Sequence, residues 1–499
     1  MSLIFMSLLI FSVLLGVIYC WRRRHLLKLA ANLPGPPTVP LFGNALEFRS
    51  KDFAQNFWTF IGFMQNYGPV VRIWLGPQLI IAISDPHHIE KLVAHDKFCT
   101  RGPFFRILMK SMFRNGLLAI DGEIWRKHRK IVTAAFQNNI LDKFVDNFAM
   151  YSCILADRLD EISDGKFHNI YMFFCQCTLD VICDTVFGYK LNAQANNRTE
   201  VVNSILGILD HVVEHLVRPW LHFDWVHKLT KSCAKYTDAI EHLNSIIIDS
   251  ISLRKEKHAL MLASGEDIQL DKMKNPLLLD TLLLNESLNM DDILGEISSI
   301  AGAGAETTSS TCCFVLALLC EHQHIQEKVL EEQKVIFGED IQRPVTRDDL
   351  PQMIYLEQVI KETLRLYSPL SFHYRQTVDN VDLGNGYVLL AGIPVIVTAY
   401  LTHRNPEYFP DPERFDPDRF LPENSTGRHP YSYIPFGLGR RLCVGHNYAM
   451  METKTILSTV LRKYRACAVE GGIRALEKSF RFGLIQKPVQ GFRISLVPR

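Results

Sequence analysis

"PFGLGRRLCVGH", residues 435–446, sets one cysteine among three glycines, with two adjacent arginines just upstream and Phe436 seven residues before it. Glycines let a backbone turn tightly and approach what it surrounds, and arginines bring charge that is never lost. A cysteine kept for packing needs neither. Cys443 therefore reads as a functional thiol, and the rest of the chain is read outward from it.

Four readings of Cys443 compete. An inert buried thiol leaves Arg440, Arg441 and the glycines without a reason. Zinc on Cys443 and His446 needs a second ligand pair, and Cys175/Cys177 or the contiguous Cys312/Cys313 are poor sources of one. A nucleophile needs a positioned base, which one sequence does not identify. The fourth is a single thiolate on a haem iron, with Arg441 meeting a haem propionate and the glycines letting backbone amides reach the sulfur.

The surrounding chain sets the bounds. It has 499 residues with no linker, low-complexity block or internal repeat, so one large body is expected. Lys+Arg 54 against Asp+Glu 53 leaves no charge excess that would argue for nucleic acid. Residues 1–21 carry no charge and are followed by "RRRH", which reads as a transmembrane signal anchor with the remainder cytosolic. Residues 22–40 read as a basic and proline-rich connector, and 41–499 as the globular body. A cytosolic body keeps its thiols reduced.

Within that body, β-like runs stand at "PVVRIWLG", "LIIAISD", "GYVLLAGIPVIVTAY" and "FRISLVP", and helical periodicity dominates from about Asp121 to Arg365. The fold class is mainly α with small β-sheets near both ends. The periodicity predicts one very long helix from Asp291 or Asp292 to about Glu332, capped by acid at its positive end. Its middle, "AGAGAETTSS", is costly for a helix: each glycine loses about 1 kcal/mol against alanine. Either a close helix crossing or a cofactor pressed on that wall explains it. Ala303, Thr307 and Thr311 share one face.

At this point a family resemblance is visible. "FGLGRRLCVG" resembles the haem-binding loop Phe-x-x-Gly-x-Arg-x-Cys-x-Gly of the cytochromes P450, the haem-thiolate monooxygenases, with Phe436, Gly439, Arg441, Cys443 and Gly445 matching in order. "WRKHR", "AGAETT", "KETLR" and "FPDPERFDPDRF" match four further family patterns in the family's order. The chain is most similar to the family-4 branch of animal, insect-like microsomal members, through "NGLLAIDGEIWRKHRKIVTAAF" and "HRNPEYFPDPERFDPDRF".

The resemblance implies the cytochrome P450 fold, with the long helix crossing a haem pocket. Its cofactor would be haem b on Cys443, with Phe436 beside the sulfur. Trp125, Arg129, Arg375 and Arg441, and less clearly His403, would meet the propionates. It implies Glu306 and Thr307 as the acid–alcohol pair that delivers protons for O–O cleavage. Glu362, Arg365 and Arg414 would form a buried structural triad. Many family-4 members carry a haem-esterified glutamate where this chain has Ala303, so the haem would be held non-covalently. Electrons would come from NADPH through NADPH–cytochrome P450 reductase, with cytochrome b5 as an additional partner. Arg126, Lys127 and Lys130 offer a basic docking face, with Arg440 near the same surface. The membrane would be that of the endoplasmic reticulum. Phe104, Phe105, Ile300, Ala303, Leu370 to Tyr374 and Leu484 would line a pocket for a fatty acid, terpenoid, sterol or xenobiotic. A non-catalytic haem- or lipid-binding protein on the same scaffold, or a haem-thiolate isomerase, is the rival reading.

Overall fold

The computed structural model describes residues 24–499 apart from 49–52, 95–99, 219–220, 222–225, 227, 266–267, 270–272 and 274–275, and ahead of them residues 5–7, 10, 18 and 21. The expected span at 1–21 thus lies largely outside the described residues; the few described there are helical and exposed. Among the described residues one helix, Met290–Glu321, is long and apolar enough to cross a membrane, and 83% of its most apolar window is buried inside the protein. It is a core helix.

The chain begins its body with the pair β1 (Val70–Leu75) and β2 (Gln78–Ile83), where the alternating apolar runs predict them. Helices α1 (Gly102–Phe113) and α2 (Gly122–Ala135) follow, then β3 (Phe167–Asn169), α3 (Tyr171–Ile182), α4 (Thr199–Val217), α5 (Lys231–Ala263) and α6 (Met290–Glu321). Next come α7 (Gln323–Phe337), α8 (Ile354–Leu366), β4 (Phe372–Gln376), β5 (Val381–Gly384), β6 (Tyr387–Leu389) and β7 (Pro394–Thr398). After a long irregular stretch, α9 (His446–Lys463), β8 (Tyr464–Val469) and β9 (Arg493–Pro498) close the chain. One sheet has the order β1-β2-β7-β4 and a second β3-β9-β8. The mainly α class with small sheets is what the sequence predicts. The proline-rich residues are stapled to the first sheet: the Arg72 amide donates to Pro34 O at 2.8 Å and its guanidinium to Leu33 O at 3.0 Å.

The central helix is shorter than its periodicity predicts. It starts at a capping box, in which the Asn289 side chain accepts from the Asp292 amide and the Asp292 carboxylate from the Asn289 amide. It stops at Glu321, with His322 outside helical geometry, and α7 begins afresh at Gln323. No glycine or proline marks the break. Side chains satisfy the freed carbonyls instead: Gln323 Nε2 donates to Leu319 O, Cys320 O and Ala466 O.

The glycines of α6 answer the question their cost raises. A Cβ on Gly295 would lie 2.4 Å from the Gly116 nitrogen, and one on Gly116 would lie 2.0 Å from Gly295 O. A Cβ on Gly304 would come to 3.0 Å from Ile182 of α3. These glycines serve close crossings. Thr178 of α3 adds a hydroxyl donated to Ala305 O at 2.8 Å, which fixes the α3–α6 crossing.

Candidate active site

The loop before α9 is built from the inside. Gly437 and Gly439 have φ of 86° and 60°, left-handed conformations that glycine adopts without strain. They fold the chain so that the Cys443 amide donates to Phe436 O at 2.9 Å. Phe436 is half-buried, its ring centroid 6.2 Å from that of His446. Two imidazoles bracket the loop's entry. The Ile434 amide donates to His403 Nε2 at 2.8 Å, and His373 Nε2 lies 3.2 Å from Ile434 O. Burial pushes the pKa of each down to about 3, so both rings are neutral. His403 spends Nδ1 on Arg365 O at 3.1 Å. It is a strut between α8 and the cysteine loop, and both its nitrogens are taken; it does not fit the propionate contact considered for it.

Cys443 has exposed surface, yet burial is the dominant influence on its thiol and raises its pKa. Both hold if that surface faces an internal chamber. The Gly445 amide and the charge of Arg129 act in the opposite direction and favour thiolate. Burial lowers the pKa of half-buried Arg129, and the field of that sulfur acts against the burial. A second patch of accessible surface appears on α6. Ala303 is exposed and Thr307 half-exposed in the middle of a helix otherwise sunk in the core. Thr307 Oγ1 donates to Ala303 O at 2.8 Å, a back-bond to the preceding turn.

Buried cations collect at one end of this region. Arg441 stacks over Trp125 at 4.0 Å and is hydrogen-bonded to the Asp121 carboxylate and to Ile120 O. Arg375 is buried on β4 and donates to Tyr374 O at 2.8 Å. Arg101 at the start of α1 escaped the sequence reading. Its amide donates to Asp121 Oδ1, its guanidinium donates to Leu118 O at 3.1 Å and lies over Phe105 at 5.1 Å, and its buried Nε has no partner among the described residues. Burial pulls its pKa down to about 10 against the pull of Asp121. Both Arg101 and Arg375 act electrostatically on His373. Three guanidinium groups and the carboxylate of Asp121 thus share one buried corner, and buried cations require anions or acceptors. A group that carries two carboxylates and a metal able to take a thiolate would fit this donor set.

The expected acid–alcohol pair is split between two environments. Glu306 is buried, accepts from Lys487 Nζ at 2.5 Å and from Tyr171 OH at 3.1 Å, and its Oε2 has no partner among the described residues. Lys487 lies 181 positions away, and no local motif announces it. On the outer surface, Arg126, Lys127, Lys130 and Arg440 are exposed, as the docking reading needs. Of the expected lining, Phe105 stacks on Tyr374 at 5.1 Å; the side chain of Phe104 lies outside the described residues.

The buried triad needs one correction. Glu362 and Arg365 are fully buried and pair bidentately at 2.7 and 2.8 Å. Arg365 also donates to His403 O, Pro412 O and Arg414 O. Arg414 supplies only that carbonyl; its side chain is 70% exposed. Arg419, 10% exposed and 3.5 Å from Glu362 Oε1, takes the place expected of it. "PERF" and "PDRF" stand five residues apart, and the second is the one that turns inward.

Comparison with known proteins agrees with this geometry. The family model described as Cytochrome P450 matches residues 33–491. The chain is 34% identical to "Cytochrome P450 4c3" of Drosophila melanogaster, covering 99% of this chain and 93% of that protein. It is 32% identical to "Cytochrome P450 4V2" of Mus musculus, covering 98% and 93%, and 31% identical to "Cytochrome P450 4g1" of Drosophila melanogaster, covering 96% and 91%. A cysteine loop whose sulfur keeps accessible surface, a helix wall bared at Ala303 and Thr307, and a match along nearly the whole chain lead to one conclusion: this protein belongs to the cytochrome P450 family of haem-thiolate monooxygenases.

Proposed function

We propose that the protein is a membrane-anchored monooxygenase that inserts one atom of dioxygen into a lipophilic substrate, with electrons from NADPH through a separate reductase. In this reading residues 1–21 are the anchor in the endoplasmic reticulum membrane, 22–40 the connector and 41–499 the cytosolic body. The observation that carries the chemical part is the Cys443 sulfur, which keeps accessible surface although burial raises its pKa.

Haem b bound on that sulfur supplies oxygen activation driven by thiolate electron donation. The chain's residues hold and prepare the site. Cys443 would hold the haem iron through its thiolate, which the Gly445 amide favours. Phe436 packs beside the loop. Arg129, Arg375, Arg441 and Arg101 would neutralise the two propionates, with Trp125 stacked against Arg441. Asp121 balances part of that positive charge before and after the cofactor arrives.

Thr307 moves protons at Oγ1. Its hydrogen is engaged with Ala303 O, so delivery toward the chamber requires that bond to open or a water to bridge. Glu306 is the relay behind it; Lys487 and Tyr171 hold Oε1, and Oε2, without a partner among the described residues, is the atom able to accept from a water. Ala303 leaves no carboxylate to esterify haem, so the group is held non-covalently and washes out in acid–organic extraction. The family resemblance supports a lipophilic substrate and the reductase; cytochrome b5 is a further donor to the same basic face, Arg126, Lys127 and Lys130.

The test is Cys443→Ser. Reduced protein is exposed to carbon monoxide, and the thiolate-type Soret band is recorded. The variant loses that band; its persistence would mean that another residue ligates iron.

A further inference from the structure

Three metal-ligating side chains meet at the surface, outside the site already described. Among the described residues, His87, Glu90 and His429 bring their donor atoms within 4.8 Å of one another. His87 and Glu90 stand one turn apart on the helix Pro86–Ala94. That helix is anchored from below, because Ile89 and Leu92 are buried in one cluster with Ile81, Ile83 and Val395 of the first sheet. Its start is fixed by Asp85, whose carboxylate accepts from the His87 and His88 amides at 3.0 Å each. His429 comes from the irregular stretch ahead of the cysteine loop. Its carbonyl accepts from the Ser432 amide at 2.9 Å and hydroxyl at 2.7 Å, so this backbone is held as well.

The spacing suits a metal better than an ion pair. His429 Nε2 and Glu90 Oε2 are 3.4 Å apart. An N–H···O bond runs about 2.7–3.2 Å, whereas two donors bound to one tetrahedral zinc at about 2.0–2.1 Å stand roughly 3.3–3.4 Å from each other. His87 and Glu90 are exposed, so their further closure is a change of rotamer. Tyr408 OH lies 3.1 Å from His87 Nε2; it holds the ring from behind a metal on Nδ1, or yields Nε2 to the metal. His429 Nδ1 accepts from the Tyr431 amide at 3.2 Å. A metal on Nε2 moves the ring proton to Nδ1, and that one long bond is given up. Two imidazoles and a carboxylate, with a fourth position open to water, are a zinc-type donor set; calcium and magnesium take oxygens.

We propose that His87, Glu90 and His429 form a binding site for a zinc-class divalent cation, which ties the helix Pro86–Ala94 to the segment entering the cysteine loop. Both ends of the tie reach that loop. A Cβ on Gly439 would lie 2.9 Å from Val93 Cγ1, so the helix packs directly on the turn before Cys443. His429 is five positions ahead of Ile434, which His373 and His403 bracket.

The experiment uses full-length holoprotein without an affinity tag. Zinc chloride is the probe, by equilibrium dialysis with bound metal counted by atomic absorption. Wild type takes up one tight equivalent, which His87→Gln, Glu90→Gln and His429→Gln each weaken at least tenfold. His87 and Glu90 are exposed, so their variants keep the fold, and the carbon monoxide spectrum reports the loop in all three. Zinc also raises the urea midpoint of haem release in wild type, by mass action on the folded state, and leaves the midpoints of the variants where they were. Zinc uptake that is weak in wild type, or equal in wild type and the His87 and Glu90 variants, means an adventitious ion only and overturns the site. Zinc retained by His429→Gln, or bound by wild type without moving the midpoint, overturns the tie.

Discussion

Acid releases the cysteine loop, and the structure says over what range. His373 and His403 hold Ile434 by its carbonyl and its amide, and burial keeps both neutral with pKa values of about 3. In the unfolded chain an imidazole titrates near 6.5. Below that value the unfolded state binds protons that the folded state refuses, so stability falls as pH drops from about 6.5 toward 3. At pH 5 the deficit is 1.5 pH units for each ring, about 2 kcal/mol apiece at 1.36 kcal/mol per unit. Together the two rings withdraw about 4 kcal/mol, a large part of the 5–15 kcal/mol that holds a typical domain. The assay is urea unfolding at pH 7 and pH 5, read by haem Soret absorbance and by tryptophan fluorescence. Wild type loses stability between the two, and haem release leads because the bracket sits at the entry to the ligand loop. His403→Gln keeps a hydrogen-bonding side chain without titration; it is weaker at pH 7 but shows about 2 kcal/mol less acid sensitivity. An acid sensitivity identical to wild type in both His403→Gln and His373→Gln would refute the bracket.

Other outcomes follow from the same contacts. Arg419→Ala removes the second cation from buried Glu362 and lowers haem occupancy, whereas Arg414→Ala, which leaves its carbonyl in place, does not; equal effects on the ratio of Soret to protein absorbance would restore Arg414 to the triad. Thr307→Ala keeps haem and NADPH consumption but diverts turnover to hydrogen peroxide; general acid help is worth about 10²–10⁴-fold, and an unchanged ratio of product to NADPH would remove Thr307 from the reaction. Deleting residues 1–21 moves much of the protein out of the membrane fraction with its haem retained; haem loss would contradict a simple anchor.

The parts legible in the sequence are those whose chemistry is contiguous. Cys443, Gly439 and Arg441 announce a ligand loop because sulfur, turn and charge stand together, and Glu362 and Arg365 face each other one helical turn apart. What stayed hidden depends on distant chain. Lys487 reaches Glu306 across 181 positions and Asp121 reaches Arg441 across 320, and nothing local in either member predicts its partner. Arg101 looks like any basic residue in a loop until the fold buries its Nε, which has no partner among the described residues. The break at His322 is capped by glutamine side chains, so the usual stop residues are missing. Arg414 and Arg419 sit in near-identical tetrapeptides, and only the packing of the second against Glu362 separates them. β4, with "FHYRQ", lacks the aliphatic alternation that marks a strand and is made one by its partner β7.

The contact between Gly116 and Gly295 has a consequence for how this enzyme can diversify. The loop 114–121 lies on α6 with bare backbone against bare backbone and is pinned on both sides of that touch, by Asn115 to Asp292 and by Asp121 to Arg441. No smaller residue exists with which to loosen it, and any larger one pushes the loop off the helix. That flank of the molecule has no slack for new substrate shapes. Variation in what the enzyme accepts must accumulate on the α4–α5 side, where side chains meet side chains and can be exchanged one volume for another. A mutational library aimed at a new substrate belongs there, and one spread over residues 114–121 will mostly return proteins that have lost their haem.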